Sequence, residues 1–153
     1  MIHRDRVCAA TAAAFTIFVV IPSILIGFGR SLPFEFIDAR MMESAASPGQ
    51  EVDVRYTIRN VRKECYGTVE RFFVDAQTRT FFLGKTPTIY HHVVSRGDAD
   101  GAFDRQWRIP PGAAPGPGLY IAYPEFWCNP LQQLWPIKAP TQKASITVVR
   151  PGR

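Results

Sequence analysis

Histidine and cysteine are scarce in this chain, with three of each among 153 residues. Two of the histidines, His91 and His92, are adjacent, and neighbouring side chains on a strand point to opposite faces, so they do not chelate one ion together. His3 is remote from both. Nothing after Cys128 supplies the histidine and methionine ligands that a copper-binding sandwich needs. A Gly-x-Ser-x-Gly elbow, a phosphate-cradling glycine loop and a His-Glu-x-x-His pair are all missing, which leaves hydrolase, nucleotide and zinc-protease chemistry without a footing. A concentrated basic face is missing too. The formal charge of +5 falls to +3 once residues before Ser31 are set aside, with 15 basic and 12 acidic residues interspersed. That balance argues against nucleic acid. The expectation is a chain that is not an enzyme, with no cofactor, no metal and no identifiable small-molecule substrate.

Charge is missing altogether from Val7 to Gly29, directly after the basic tip of residues 1–6. At about 1.5 Å of rise per residue a helix of this length covers the roughly 30 Å hydrocarbon core of a bilayer. The run is longer than the apolar region of a cleaved signal, and Gly27-x-Gly29 is a poor cleavage site. It is therefore read as an uncleaved signal-anchor contacting membrane lipid through residues 7–29, with a removable signal as the alternative. Pro22 is expected to kink it. Arg4 and Arg6 precede the span, whereas Arg30 and Arg40 follow it among acidic residues, which directs the C-terminal part to the periplasmic or extracellular side. Cys8, at the start of the run, reads as a small apolar residue of the helix, and a palmitoylated thiol is the other reading.

Residues 30–153 lack any sustained helical periodicity and suit one domain of ordinary size. The clearest strand is Gln50 to Asn60, where Val52, Val54, Tyr56 and Ile58 alternate with polar residues. Such alternation buries one face and wets the other. The preceding Ser47-Pro-Gly-Gln50 is a turn, because Pro presets φ and Gly accepts a positive one. Further strands are expected at Phe34 to Met41, Cys65 to Val74, Thr80 to Leu83, Thr88 to Val94, Phe103 to Ile109, Leu119 to Tyr123 and Ala144 to Val149. The fold class is mainly β: a single antiparallel sandwich of seven or eight strands preceded by one N-terminal transmembrane helix.

The Pro-Gly-Gln-Glu-Val opening of the second strand and Gly118-Leu-Tyr-Ile-Ala122 give this region a resemblance to the immunoglobulin-like or fibronectin-like domains of bacterial surface proteins. It spans Pro33 to Val149 and is loose. It implies that Tyr120 closes a corner on nearby backbone at the start of strand F. Ala122 stands where antibody-type domains place a core cysteine, so their inter-sheet disulfide is absent. On the topology so implied, Cys65 lies at the junction of strands B and C and Cys128 just beyond strand F. A disulfide between Cys65 and Cys128 then pins the long F to G connection to its neighbour, with two free thiols as the alternative.

That connection, Pro124 to Pro140, is the least ordinary part of the domain. Phe126, Trp127, Leu131, Leu134 and Trp135 give it the apolar content of a partner-binding surface. Asn129-Pro130 is suited to start one helical turn that puts Leu131, Leu134 and Trp135 on a common side. The competing reading folds the same residues back as a lid over the core. Three weaker signals complete the survey. Asp98, Asp100 and Asp104 are spaced somewhat like calcium ligands, although Asp-Gly between strands reads better as a hairpin turn. Arg96-Gly97-Asp98 matches an adhesion tripeptide too short to weigh. Arg55 and Arg59 share one side of their strand, as edge-protecting charges do.

The function expected from all this is a single-pass, membrane-anchored β-sandwich that binds a protein partner through its aromatic F to G loop, as an accessory subunit of an envelope or membrane complex. A surface or virion structural component is the alternative. A solute-binding or enzymatic use of the same loop end is a third.

Overall fold

The computed structural model describes residues 16, 20–21, 32–59, 65–89 and 100–150. Segment 7–29 lies outside them but for three positions, as do His91, His92, Cys8 and the Arg96-Gly97-Asp98 tripeptide. Among the described residues no helix is long and apolar enough to cross a membrane.

Among the described residues nine strands form two layers: β1 (Glu35–Met41), β2 (Ala45–Ala46), β3 (Glu51–Arg59), β4 (Tyr66–Val74), β5 (Thr80–Ile89), β6 (Asp100–Arg108), β7 (Gly116–Trp127), β8 (Ile137–Lys138) and β9 (Gln142–Val148). One sheet has the order β1-β3-β6 and the other β2-β9-β7-β4-β5, with β8 beside β7. This is an immunoglobulin-like sandwich in which β3, β4, β7 and β9 take the places of strands B, C, F and G. Pairing is antiparallel except for β2, two residues that lie parallel to β9.

The alternation in β3 does what its sequence requires. Val52, Val54, Tyr56 and Ile58 are all buried while the intervening side chains are not. Its turn is closed by the Gln50 amide on the Ser47 carbonyl at 3.0 Å, with Gly49 at φ 84°.

Several boundaries differ from expectation: β6 opens at Asp100, so Asp100-Gly101 is paired in the sheet opposite Arg59 and Ile58 and is not a hairpin turn, and β9 opens at Gln142. The strands expected at 80–83 and 88–94 are one strand, β5, up to Ile89, and residues 90–94 lie outside the described set. Gly84 at φ 124° absorbs a bulge opposite the Arg71/Phe72 step, so the chain bends without leaving the sheet. Strand β7 runs from Gly116 to Trp127, beyond the expected Leu119 to Tyr123 at both ends. Pro124 does not end it, because the lost amide is absorbed on the β9 side. There the ladder breaks between Ala122/Gln142 and Glu125/Lys138, and only the Pro124 carbonyl is used, by the Ala139 amide at 3.0 Å.

The main core lies between the sheets around Val54, Phe73, Trp107, Tyr120 and Ile146. Gly118 is glycine because a Cβ there would run into the Phe73 ring. A smaller cluster of Phe34, Ile58, Phe126 and Ile137 fills the end nearest Cys128. Phe34 meets Phe36 and Phe126 edge-on, each at 5.0 Å between ring centroids. Tyr120 does not close a corner on local backbone. Its hydroxyl reaches across the layers to the Tyr56 hydroxyl at 2.8 Å, because β3 packs over β7 and places a second buried phenol opposite it.

Candidate functional site

Register brings the two domain cysteines together. Tyr66 pairs with Trp127 across β4 and β7, and the next residues out, Cys65 and Cys128, form a disulfide with a Cα–Cα separation of 4.4 Å. That spacing is what adjacent antiparallel strands give at a non-hydrogen-bonded pair. The bridge therefore fastens the start of the F to G connection to strand β4.

Beyond the bridge the chain makes a 3-10 helix, Pro130–Gln133. Asn129 caps it, its Oδ1 accepting from the Gln132 amide at 3.0 Å. Gln132 is the buried polar residue of this loop, and its Oε1 accepts from the Cys128 amide at 2.6 Å. The loop then returns at Ile137, opposite Phe126, so a nine-residue excursion is held at both ends.

This geometry divides the aromatic set. Phe126 is 0% exposed and belongs to the core, because β7 continues through it and its parity with Tyr120 and Ala122 points it inward. It offers no surface to a partner in this fold. Trp127, the next residue, faces the other way and is half-buried. Leu134 and Trp135 are 71% and 61% exposed. They do not share a helical face with Leu131, since the helix stops at Gln133, and the Leu131 side chain lies outside the described set.

The outer face of the β9-β7-β4-β5 sheet carries aromatic residues that motif reading did not single out. Tyr66, Phe82 and Tyr123 are exposed, and Phe72 lies 5.4 Å from Phe82 and 5.7 Å from Tyr123 between ring centroids. Two ion pairs share this sheet, Lys85 with Glu70 at 2.9 Å and Lys138 with Glu125 at 3.9 Å. Tyr66 stands beside Trp127, so the aromatic face meets the loop at the disulfide. The signal was available: Tyr66 and Phe72 sit at even positions of β4, in antiphase to buried Val69 and Phe73.

Of the three aspartates spaced like calcium ligands, Asp104 is the one whose side chain the structure describes, and it is paired with an arginine. Arg55 grips it with two bonds of 2.7 Å from the neighbouring strand. That hydrogen bonding holds the Asp104 carboxyl below the usual range and raises Arg55. Asp98 lies outside the described residues, among which no cluster of three metal-ligating side chains occurs.

No protein-family model and no curated protein matches the sequence. Among solved structures the chain is similar to the C-terminal domain of wzt, at 12% identity over 80% of this chain and 77% of that one, with a TM-score of 0.48. It is also similar to the ASH/PapD-like domain 7 of human CEP192, at 10% identity over 80% of this chain and 89% of that one, TM-score 0.46. A β-glucosidase from Erythrobacter marinus aligns at 13% identity over 76% of this chain, TM-score 0.47, but the chain spans only 15% of its length. These likenesses concern the sandwich fold.

Proposed function

We propose that the chain is a single-pass membrane protein, anchored by residues 7–29, whose sandwich faces the periplasmic or extracellular side and binds another protein through the loop 128–136. On this reading it is an accessory subunit of an envelope or membrane complex. The observation that carries it is the exposure of Leu134 and Trp135 on a connection steadied by a disulfide, a buried Gln132 and a return strand. Large apolar side chains presented on an ordered loop lose little entropy on binding. The bridge itself suits an oxidising compartment. The exposed aromatic face around Phe72 favours a second reading, in which copies of the domain pack side by side as a structural component.

The test is purification of the full chain in mild detergent, with mass spectrometry of what travels with it. Trp135→Ala is expected to strip the co-purifying protein while leaving the melting temperature unchanged. Retention of that protein by both Trp135→Ala and Trp127→Ala sinks the loop as the contact. Release only by Phe82→Ala, with loss of self-association, moves the function to the sheet face.

A further inference from the structure

The chain enters the sandwich at the end that carries the loop. Leu32, half-buried, packs against the cluster of Phe34, Ile58, Phe126 and Ile137, as does Cys128. Pro33 is fully buried, and the Phe34 ring stands edge-on to Phe126 at 5.0 Å. Cys128 begins the loop, and Ile137 lies two residues past Trp135. The β4–β5 turn is at the opposite end, where Val74 pairs with Leu119 and Val148 with Gly116 near the start of β7. Entry and loop therefore share one end of the sandwich, and strand β9 runs out at the other.

With residues 7–29 as the membrane anchor, this placement fixes what can reach the loop. From Gly29 to Leu32 is three residues, which span at most about 10–11 Å fully extended. That is no wider than one helix with its side chains, about 10–12 Å across. A folded water-soluble domain does not fit into such a gap. What covers the exposed Leu134 and Trp135 therefore lies at the bilayer surface, as lipid head groups or as a protein embedded beside the anchor. The loop favours the protein. Residues 128–136 contain no charged side chain, whereas segments that dock on head groups draw on lysine and arginine for attraction to anionic lipid. The nearest lysine, Lys138, stands 3.9 Å from Glu125. The Asn129 cap, the Gln132 contact and the bridge also give the loop one fixed shape, which lowers the entropy cost of docking on an equally fixed surface and gains nothing against fluid lipid.

We infer that the partner of the loop is an integral membrane protein, contacted where one of its own spans leaves the bilayer beside residues 7–29; this deepens the reading of the loop as a protein-binding surface and rests on it. Tryptophan suits that level, because its apolar ring and its N–H match the boundary between hydrocarbon and water. Exposed Gln133 adds an uncharged hydrogen-bonding group next to Leu134. The β4–β5 turn, at the other end, points away from the membrane and is left free of this contact.

The test places the photo-cross-linker p-benzoylphenylalanine at Gln133 of the full chain, irradiates membranes of the cells that make it, and washes them with alkaline carbonate before mass spectrometry. A second sample carries the same group at exposed Gln77, in the β4–β5 turn. The expected result is a protein adduct from position 133 and none from 77, in which the partner stays in the washed pellet and the cross-linked peptide adjoins one of its own apolar spans. A partner that carbonate releases, or a cross-link remote from any span, overturns the membrane-embedded partner while the protein-binding loop stands. Adducts with lipid alone, or none from position 133, sink the loop as a protein contact as well. Release of the chain itself by carbonate removes the anchor and with it this inference. Orientation is read separately in phosphatidylcholine nanodiscs doped with a gadolinium-chelating lipid, where the Trp135 indole N–H resonance is expected to broaden beyond detection and the Thr78 amide to stay sharp. Equal broadening of both, or the reverse pattern, overturns the shared end as the membrane-facing one.

Discussion

The two ends of strand β4 are each fastened by one buried polar side chain, and the two do opposite work. At the far end Asp75 closes the turn into β5. Its carboxylate accepts from the amides of Gln77 at 2.9 Å, Arg79 at 3.0 Å and Ala114 at 2.9 Å, and from the Arg79 guanidinium at 2.7 Å. Arg79 in turn donates to the Gly112 carbonyl at 2.7 Å, so one charge ties the β4–β5 turn to the connection before β7. The turn itself, residues 75–79, contains no large apolar side chain, and the exposed Phe82 stands on the sheet face at the third pair from it. At the near end neutral Gln132 holds the Cys128 amide, the bridge adds a covalent tie, and Leu134 and Trp135 remain in the open. One end satisfies its groups internally; the other spends its rigidity on presenting a surface.

The comparison breaks first if Phe126 belongs with the presented residues rather than beneath them. Phe126→Ala is expected to cost about 3–5 kcal/mol in urea unfolding, because it empties the small cluster around Phe34 and Ile137. A loss below about 1 kcal/mol places the side chain outside the core and restores the undivided aromatic loop.

The bridge comes next. Cys65→Ser with Cys128→Ser is expected to lower stability by about 2–5 kcal/mol, as for a cross-link closing a long segment. Limited proteolysis distinguishes the ends: cleavage between 128 and 136 rises sharply in the double variant, whereas cleavage between 75 and 79 does not. Equal sensitisation of both turns means the disulfide stabilises the sandwich globally and steadies no particular loop.

Acid separates the ends by charge. Burial alone pushes the Asp75 carboxyl up, but the bonds from Ala114, Arg79 and Gln77 outweigh it and bring it to about 2 from an ordinary 3.8. A carboxyl lowered on folding adds stability that is complete above 3.8 and disappears as pH falls towards about 2. Gln132 does not titrate, so amide exchange in the 75–79 turn accelerates across that window while the Cys128 amide stays protected. Asp75→Asn is expected to destabilise at neutral pH and to flatten this part of the acid limb, leaving the contribution of Asp104 beside Arg55. An unchanged acid limb removes Asp75 from its assigned role.

Much of the near end was legible in the residues, and its errors have one cause. Period-two alternation marked β3, and the positions of Cys65 and Cys128 on the implied topology led to the bridge. Asn129-Pro130 announced the helical turn. Reading the aromatic segment by apolar content, however, merged residues that a strand sends to opposite faces. Counting parity onward from Tyr120 separates Phe126 from Trp127, and counting back from Phe73 finds Arg71 pointing inward. Gly84 was legible as glycine but not as a bulge, because a bulge depends on the partner strand. Gln132 and Asp75 gave no local signal. A polar side chain becomes a fastening only when three-dimensional packing surrounds it with backbone donors.

Trp135→Ala carries the smallest expected effect on stability and the sharpest test of the contrast. Its side chain is mostly exposed, so truncation is expected to change unfolding free energy by no more than about 0.5 kcal/mol. A lid residue covering the core behaves otherwise, because its removal exposes apolar surface beneath it at about 25 cal/mol per Å². The same substitution at the fastened end has no counterpart, since no exposed tryptophan stands near Asp75. If Trp135→Ala costs about 2 kcal/mol or more, the loop is completing the core after all, and both ends of β4 serve the fold alone. If it costs nothing, the energy invested in the bridge, the Asn129 cap and the Gln132 contact is left without a structural beneficiary on the loop itself, which is the condition a binding surface satisfies.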